Sequence, residues 1–240
     1  MSGHPVAVSP RAAAAADERP TRRRVVVFIA DPIPPEWALG WCRHRGGEPL
    51  VRQASTSPPH GSPGALPKAV ADVAGHEVLL VRPSPSYAAQ PSPSSVIAAI
   101  GDLPKHAQVL AAAADAAGYL GTGLVLAHGV PPSFAERSVG MGAALAHGRW
   151  LLDIAARRVT AQVPGLAVSR RLQRAWPHEL VGQAGEMLDP TGLLVLGMPV
   201  DRRDGGVGLV ASSALHFWPN AILFVPAVQD DRWSASGLWA

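Results

Sequence analysis

The sequence predicts an α/β or α+β protein: a mixed β-sheet with flanking helices and a C-terminal antiparallel meander. Three observations predict it. Short β-branched apolar runs recur at "VVVFIA", "HEVLLVRP" and "TGLVLA". The second and third run on through proline-containing loops into Ala-rich stretches. The C-terminal part breaks into "GLLVLGMPV", "GVGLVASS" and "NAILFVP", three short apolar runs joined by "DRRDGG" and "HFWP". With 240 residues, 48% of them hydrophobic, the chain has the material for one globular domain over residues 24–240.

Residues 1–23 are rich in Ala, Pro and charge without an apolar period, and are expected to form a disordered basic tail. The run Val25 to Ala30 reads as a buried strand stopped by "DPIPP". A short helix comes next in "EWALGWCRHRGG", with Trp37 and Trp41 as apolar contacts and the glycines as its end. Residues 54–67 and 83–95 are Pro/Ser-rich and read as loops on either side of a strand at His76 to Pro83. "PSSVIAAIGDLPKHAQVLAAAADAAGYL" reads as two helices broken near Pro104, since an interior proline removes a helical hydrogen bond. Thr122 to Ala127 is the third strand.

Ser133 to Glu136, "SFAE", is a capping box that opens a helix, and His147-Gly148 supply its expected C-terminus. "RWLLDIA" and "RRVTAQV" then read as strands and "SRRLQRAWPHELVGQAGEML" as a helix or helix pair. The order strand, proline loop, Ser-aromatic-Ala and Ser-Val before an Ala-rich stretch occurs twice, from Val78 and from Leu124, which suggests an internal repeat.

Composition excludes several function classes. The pI of about 9.6 hints at nucleic acid, but the net charge is only +3 and the arginine clusters, such as Arg157-Arg158 and Arg170-Arg171, are spread thinly along the chain. Nucleic acid is therefore not the expected partner. The longest uncharged run, 205–229, is interrupted by Pro219, Asn220 and Pro226 and is not read as a membrane span. No apolar signal-peptide core opens the chain, and Cys42 is the single cysteine, so a reducing cytoplasmic location is expected. No ligand spacing for a metal and no glycine-rich phosphate loop is present, so neither metal nor cofactor is expected. Cys42 sits beside Arg43, His44 and Arg45, cations that favour a thiolate, but reads better as a small apolar residue.

Two functional readings remain. "LAHGVPPSFAERSVGMG" has parts of a hydrolase, a His-Gly after a strand and a serine before glycine. Glu136, however, stands where the nucleophile elbow needs its first glycine, and only nine positions separate Gly129 from Ser138. The leading reading is a non-enzymatic binding or protein-interaction module, with Trp233 and Trp239 as possible anchors for a protein partner. The alternative is a hydrolase-like enzyme acting on a small anionic substrate. If the three strands are parallel, their carboxyl ends bring together Asp31, Arg82 and His128, with Ser133 at a helix N-terminus. His128 would be general acid/base, Asp31 a carboxylate orienting His128 or the substrate, and Arg82 and Ser133 the anion-binding groups.

Overall fold

The computed structural model describes residues 25–29, 34–46, 50–53, 68–70, 72–73, 76–82, 92–132, 141–182, 188–199 and 207–227. The expected tail, the loop at 54–67, most of the loop at 83–95, Asp31, Ser133, Trp233 and Trp239 lie outside them.

The elements in chain order are β1 (Val25–Ile29), α1 (Glu36–His44), β2 (Leu50–Gln53), β3 (Glu77–Val81), β4 (Ser95–Ala99), α2 (Leu103–Leu120) and β5 (Gly123–Gly129). They continue with α3 (Met141–Gln162), β6 (Val168–Gln173), α4 (Pro177–Leu180), β7 (Leu193–Pro199), α5 (Leu209–Phe217) and β8 (Ile222–Ala227). The strands form one mixed sheet in the order β2-β1-β3-β8-β7-β4-β5-β6. Every pairing is parallel except β3 with β8, where Leu79 faces Leu223. Two parallel wings therefore meet back to back, with their carboxyl ends at opposite edges of the sheet.

Both faces are covered, which is why the central strands read as unbroken apolar runs. Side chains alternate across the sheet. Leu79, Val96, Ala98, Leu124, Leu126, Val195 and Leu223 pack under α1, α2 and α3. Val78, Leu80, Ile97, Ala127, Leu194, Leu196 and Phe224 pack under α4 and α5.

The α/β sheet with flanking helices is thus present, and five local expectations are corrected. The C-terminal run is no antiparallel meander: "GVGLVASS" contributes to helix α5, and β7 and β8 are parallel neighbours. "SSVIAA" is strand β4 rather than a helix, because Val96, Ile97 and Ala98 are buried from both faces. Pro104 opens α2 instead of breaking it, since the first turn has no intrahelical acceptor for a proline to lose. "RWLLDIA" and "RRVTAQV" are one helix, α3, whose Leu151, Leu152, Ala155 and Val159 form a helical stripe in the core. "VSRRLQ" is the edge strand β6. The two repeat-like segments also part company, since Ser95-Val96 begins a strand whereas the later unit leads into α3.

A polar clamp ties the first wing to the second. Glu77, 5% exposed at the start of β3, accepts from Nε of Arg45 at 3.1 Å and from its Nη2. Nη1 of the same guanidinium donates to Asp115 of α2 at 2.8 Å, and the indole of Trp41 lies 5.5 Å from it. Removing one partner would leave a buried carboxylate uncompensated. Arg45→Ala is expected to lower unfolding free energy in urea by about 3–5 kcal/mol. Arg45→Met with Glu77→Leu should return most of that loss.

Candidate functional site

In the second wing the chain winds outward in two directions. From β4 it passes through α2 to β5 on one face; from β7 it passes through α5 to β8 on the other. Where winding reverses, between β4 and β7, the first turns of helices on opposite faces cannot close over the strand ends, and a crevice opens at the carboxyl edge. Here that crevice has a volume of about 270 Å³. Its floor is the ends of three strands, at Ala99–Gly101, His128-Gly129 and Leu196-Gly197. His106 closes one side from the first turn of α2. Pro177 and Leu180 of α4 and Gly208–Ala211 of α5 close the other.

Local chemistry holds these walls. The Glu179 carboxylate accepts from the Trp176 backbone N–H at 2.9 Å, which fixes the turn that presents Pro177. The α5 hydrogen-bond ladder begins with Ser212 N–H donating to Gly208 O at 2.8 Å, and Gly208 carries no side chain to cap the turn. The amides of Leu209, Val210 and Ala211 precede the ladder and belong to residues lining the crevice.

The two imidazoles hang from consecutive backbone groups at the end of β4. His128 Nδ1 lies 2.7 Å from Ile100 O. A carbonyl only accepts, so Nδ1 carries the proton and Nε2 of the neutral ring is a bare acceptor. Gly101 N–H donates to His106 Nδ1 at 2.8 Å. An amide only donates, so Nδ1 of His106 is bare and Nε2 carries the proton. One ring thus offers an acceptor and the other a donor. Burial pushes both pKa values below the ordinary histidine value. For His106 the pull of Asp102 opposes burial, while Lys105 and His128 add to it; for His128 the Ile100 carbonyl opposes and His147 adds.

Gly148 positions His128 from beneath. Rather than ending a helix, it lies within α3, where a Cβ would stand 2.7 Å from Leu172 Cδ1 and 2.9 Å from His128 Cδ2. The glycine lets α3 approach β5 closely enough to support the ring.

Arg82 does not join His128. It succeeds β3 in the oppositely directed wing, and its Nη2 donates to Leu215 O near the C-terminal end of α5, whereas the crevice receives the N-terminal end of that helix. The parallel arrangement that would have gathered a His/Arg/Asp cluster fails at the β3–β8 pairing. Asp31 and Ser133 lie outside the described residues. Sequence reasoning misses His106 because "SSVIAAIGDLPKH" reads as helical; as a strand leading into a proline-opened helix, it places His106 at a strand's carboxyl end.

A larger depression of about 690 Å³ lies between α3 and β6, but it is shallow, and its Arg170 is already paired with Asp153. Among the described residues no group of three His, Cys, Asp or Glu side chains could hold a metal, and no helix is long and apolar enough to cross a membrane. Cys42 is wholly buried, and burial pushes its thiol up to about 12, ahead of smaller effects from Glu77 and Arg43.

The fold and crevice define an open-sheet α/β protein with a pocket at a topological switch point. No protein family model matches the chain, and no curated protein matches it. Solved structures are similar to it in fold. A functionally unknown protein from Pseudomonas aeruginosa PAO1 is 15% identical, covering 87% of this chain and 94% of its own, with a TM-score of 0.49. Universal stress protein UspA from Lactobacillus plantarum is 15% identical over 57% of this chain and 99% of its own, with a TM-score of 0.46. A universal stress protein from Archaeoglobus fulgidus DSM 4304 is 14% identical over 65% of this chain, with a TM-score of 0.42; the chain spans 51%, about half, of that protein's length.

The supporting glycine and the buried thiol can each be checked in solution. Alanine is ordinarily favoured over glycine inside a helix by roughly 0.5–1 kcal/mol. For Gly148→Ala the sign should reverse, with a loss of about 1–3 kcal/mol in urea unfolding and shifted His128 ring resonances. Native protein should leave Cys42 unreacted toward an aromatic disulfide reagent at pH 8, and denaturant should expose one thiol per chain.

Proposed function

We propose that this protein is a small-molecule binding module, and that its ligand has an apolar body and an anionic or strongly accepting end. The observation that carries this reading is the crevice between β4 and β7, walled by apolar side chains and entered by the N-terminus of α5, where no side-chain cap is made among the described residues. The first-turn amides and dipole of a helix N-terminus favour negative charge. A cavity of about 270 Å³ is at the small end of ligand sites, which run from roughly 300 to 1,000 Å³. It suits a ligand of about one ring.

Binding is favoured over catalysis by the chemistry of the walls. Among the described residues lining the crevice no serine, threonine, cysteine, lysine or carboxylate supplies a nucleophile or second acid. His128 is oriented by a backbone carbonyl rather than by a carboxylate that would steady an imidazolium.

Leu209 separates binding from folding. It is 65% exposed at the first position of α5 and lines the crevice. Leu209→Asp puts a carboxylate where the helix dipole welcomes it, for a gain of about 0.3–1 kcal/mol, so the melting temperature should hold or rise. Benzoate and benzenesulfonate, monitored by thermal shift and by saturation-transfer NMR, should lose about tenfold in affinity, roughly 1.4 kcal/mol. Equal binding of these anions to both proteins would contradict the reading.

A further inference from the structure

The opposed tautomers of the two histidines narrow the chemistry of the ligand, provided that the crevice is a binding site. We propose that the crevice takes a small carboxylic acid together with a proton. The acid's carbonyl oxygen accepts from Nε2–H of His106, and one proton is shared between its second oxygen and Nε2 of His128.

The backbone anchors assign the two roles. His106 receives the Gly101 N–H on Nδ1 at 2.8 Å. Protonating that nitrogen would set N–H against N–H, so His106 remains neutral and serves only as an Nε2–H donor. His128 donates from Nδ1 to Ile100 O at 2.7 Å, and that bond survives a second proton. The pair therefore has one place for an added proton, Nε2 of His128. A carboxylate meeting the two rings without a proton would be accepted by His106 and repelled by the bare nitrogen of His128. A carboxyl group carrying one proton has an acceptor beside a donor, the complement of what the rings present.

The rings are neighbours as well as complements. Ile100 and Gly101 are adjacent, both rings line the one crevice, and each is sensed electrostatically by its surroundings: His106 by His128, Asp102 and Lys105, and His128 by His147. Nε2 of His106 also lies 3.6 Å from where a Cβ on Gly197 would stand, so that edge borders the wall glycine forms. Balance is simple: carboxylate and one proton from solvent enter, and no bond other than that to the proton changes.

Proton uptake fixes the sign of the pH dependence. In the free protein burial holds His128 neutral down to a pH below the ordinary histidine value. Above that point a carboxylate must bring a proton, and affinity falls tenfold per pH unit. Below it the proton is already on His128, and affinity levels off.

Isothermal titration calorimetry of the full chain with benzoate and with its neutral isostere benzamide, at pH 5.5 to 8.5, tests this. Benzoate should take up about one proton, read as different heats in phosphate and Tris buffers at one pH, with the tenfold-per-unit slope above neutrality. Benzamide should bind without slope. His128→Gln should abolish the benzoate slope. Should that variant fail to fold, the buffer comparison on unaltered protein still decides. Benzoate bound at the crevice with no proton uptake would overturn the proposal and leave the crevice reading standing. Neither probe perturbing the His106 or Leu209 resonances would overturn both.

Discussion

The structure depends on the reversal of winding between β4 and β7. Crossovers between parallel strands keep one hand, so a chain that moves one way across a sheet lays its helix on one face, and a chain that moves the other way lays it on the opposite face. Helix α2 leaves β4 above the sheet and α5 leaves β7 below it. A gap at the shared strand ends is the geometric consequence. The ends of β4, β5 and β7, the first turn of α2 and the N-terminus of α5 are brought together by that one topological fact.

Within the gap, backbone does the orienting. Ile100 O and Gly101 N–H lie just past the last residue of β4, not yet committed to the next helix, and each fixes one imidazole. The supporting layer is equally backbone-driven, since Gly148 holds α3 against His128 by having no side chain. Through Glu77 on the interior strand β3 and Asp115 on α2, the Arg45 clamp joins the oppositely directed wing to the wing that carries the crevice. The antiparallel pairing of β3 with β8 keeps Arg82 away from His128.

Much of the fold is legible in the sequence. β3 and β5 are dense in leucine or valine because they pack against helices on both faces, and continuous apolar runs are how such strands look in sequence. His128 is legible as the end of a strand. Direction is not: β3 and β8 pair antiparallel through residues about 140 apart, and no local pattern records that. Secondary structure misleads where composition is ambiguous. The alanines of "SSVIAAI" suggest a helix though Val96 and Ile97 sit in the sheet, and Gly148 looks like an end though α3 runs through it. The N-terminus of α5 is hidden by glycines and valines that resemble a strand until Leu215 and Trp218 are seen packing on the opposite face.

At the centre of the proposed chemistry are two neutral imidazoles in one crevice, locked in opposite tautomers. A two-bond nitrogen–proton correlation spectrum of the histidine rings at pH 7.5 tests this most directly. His106 should carry its proton on Nε2 and His128 on Nδ1, each as a single unaveraged form. The same tautomer at both rings, or rapid exchange between tautomers at either, would contradict it.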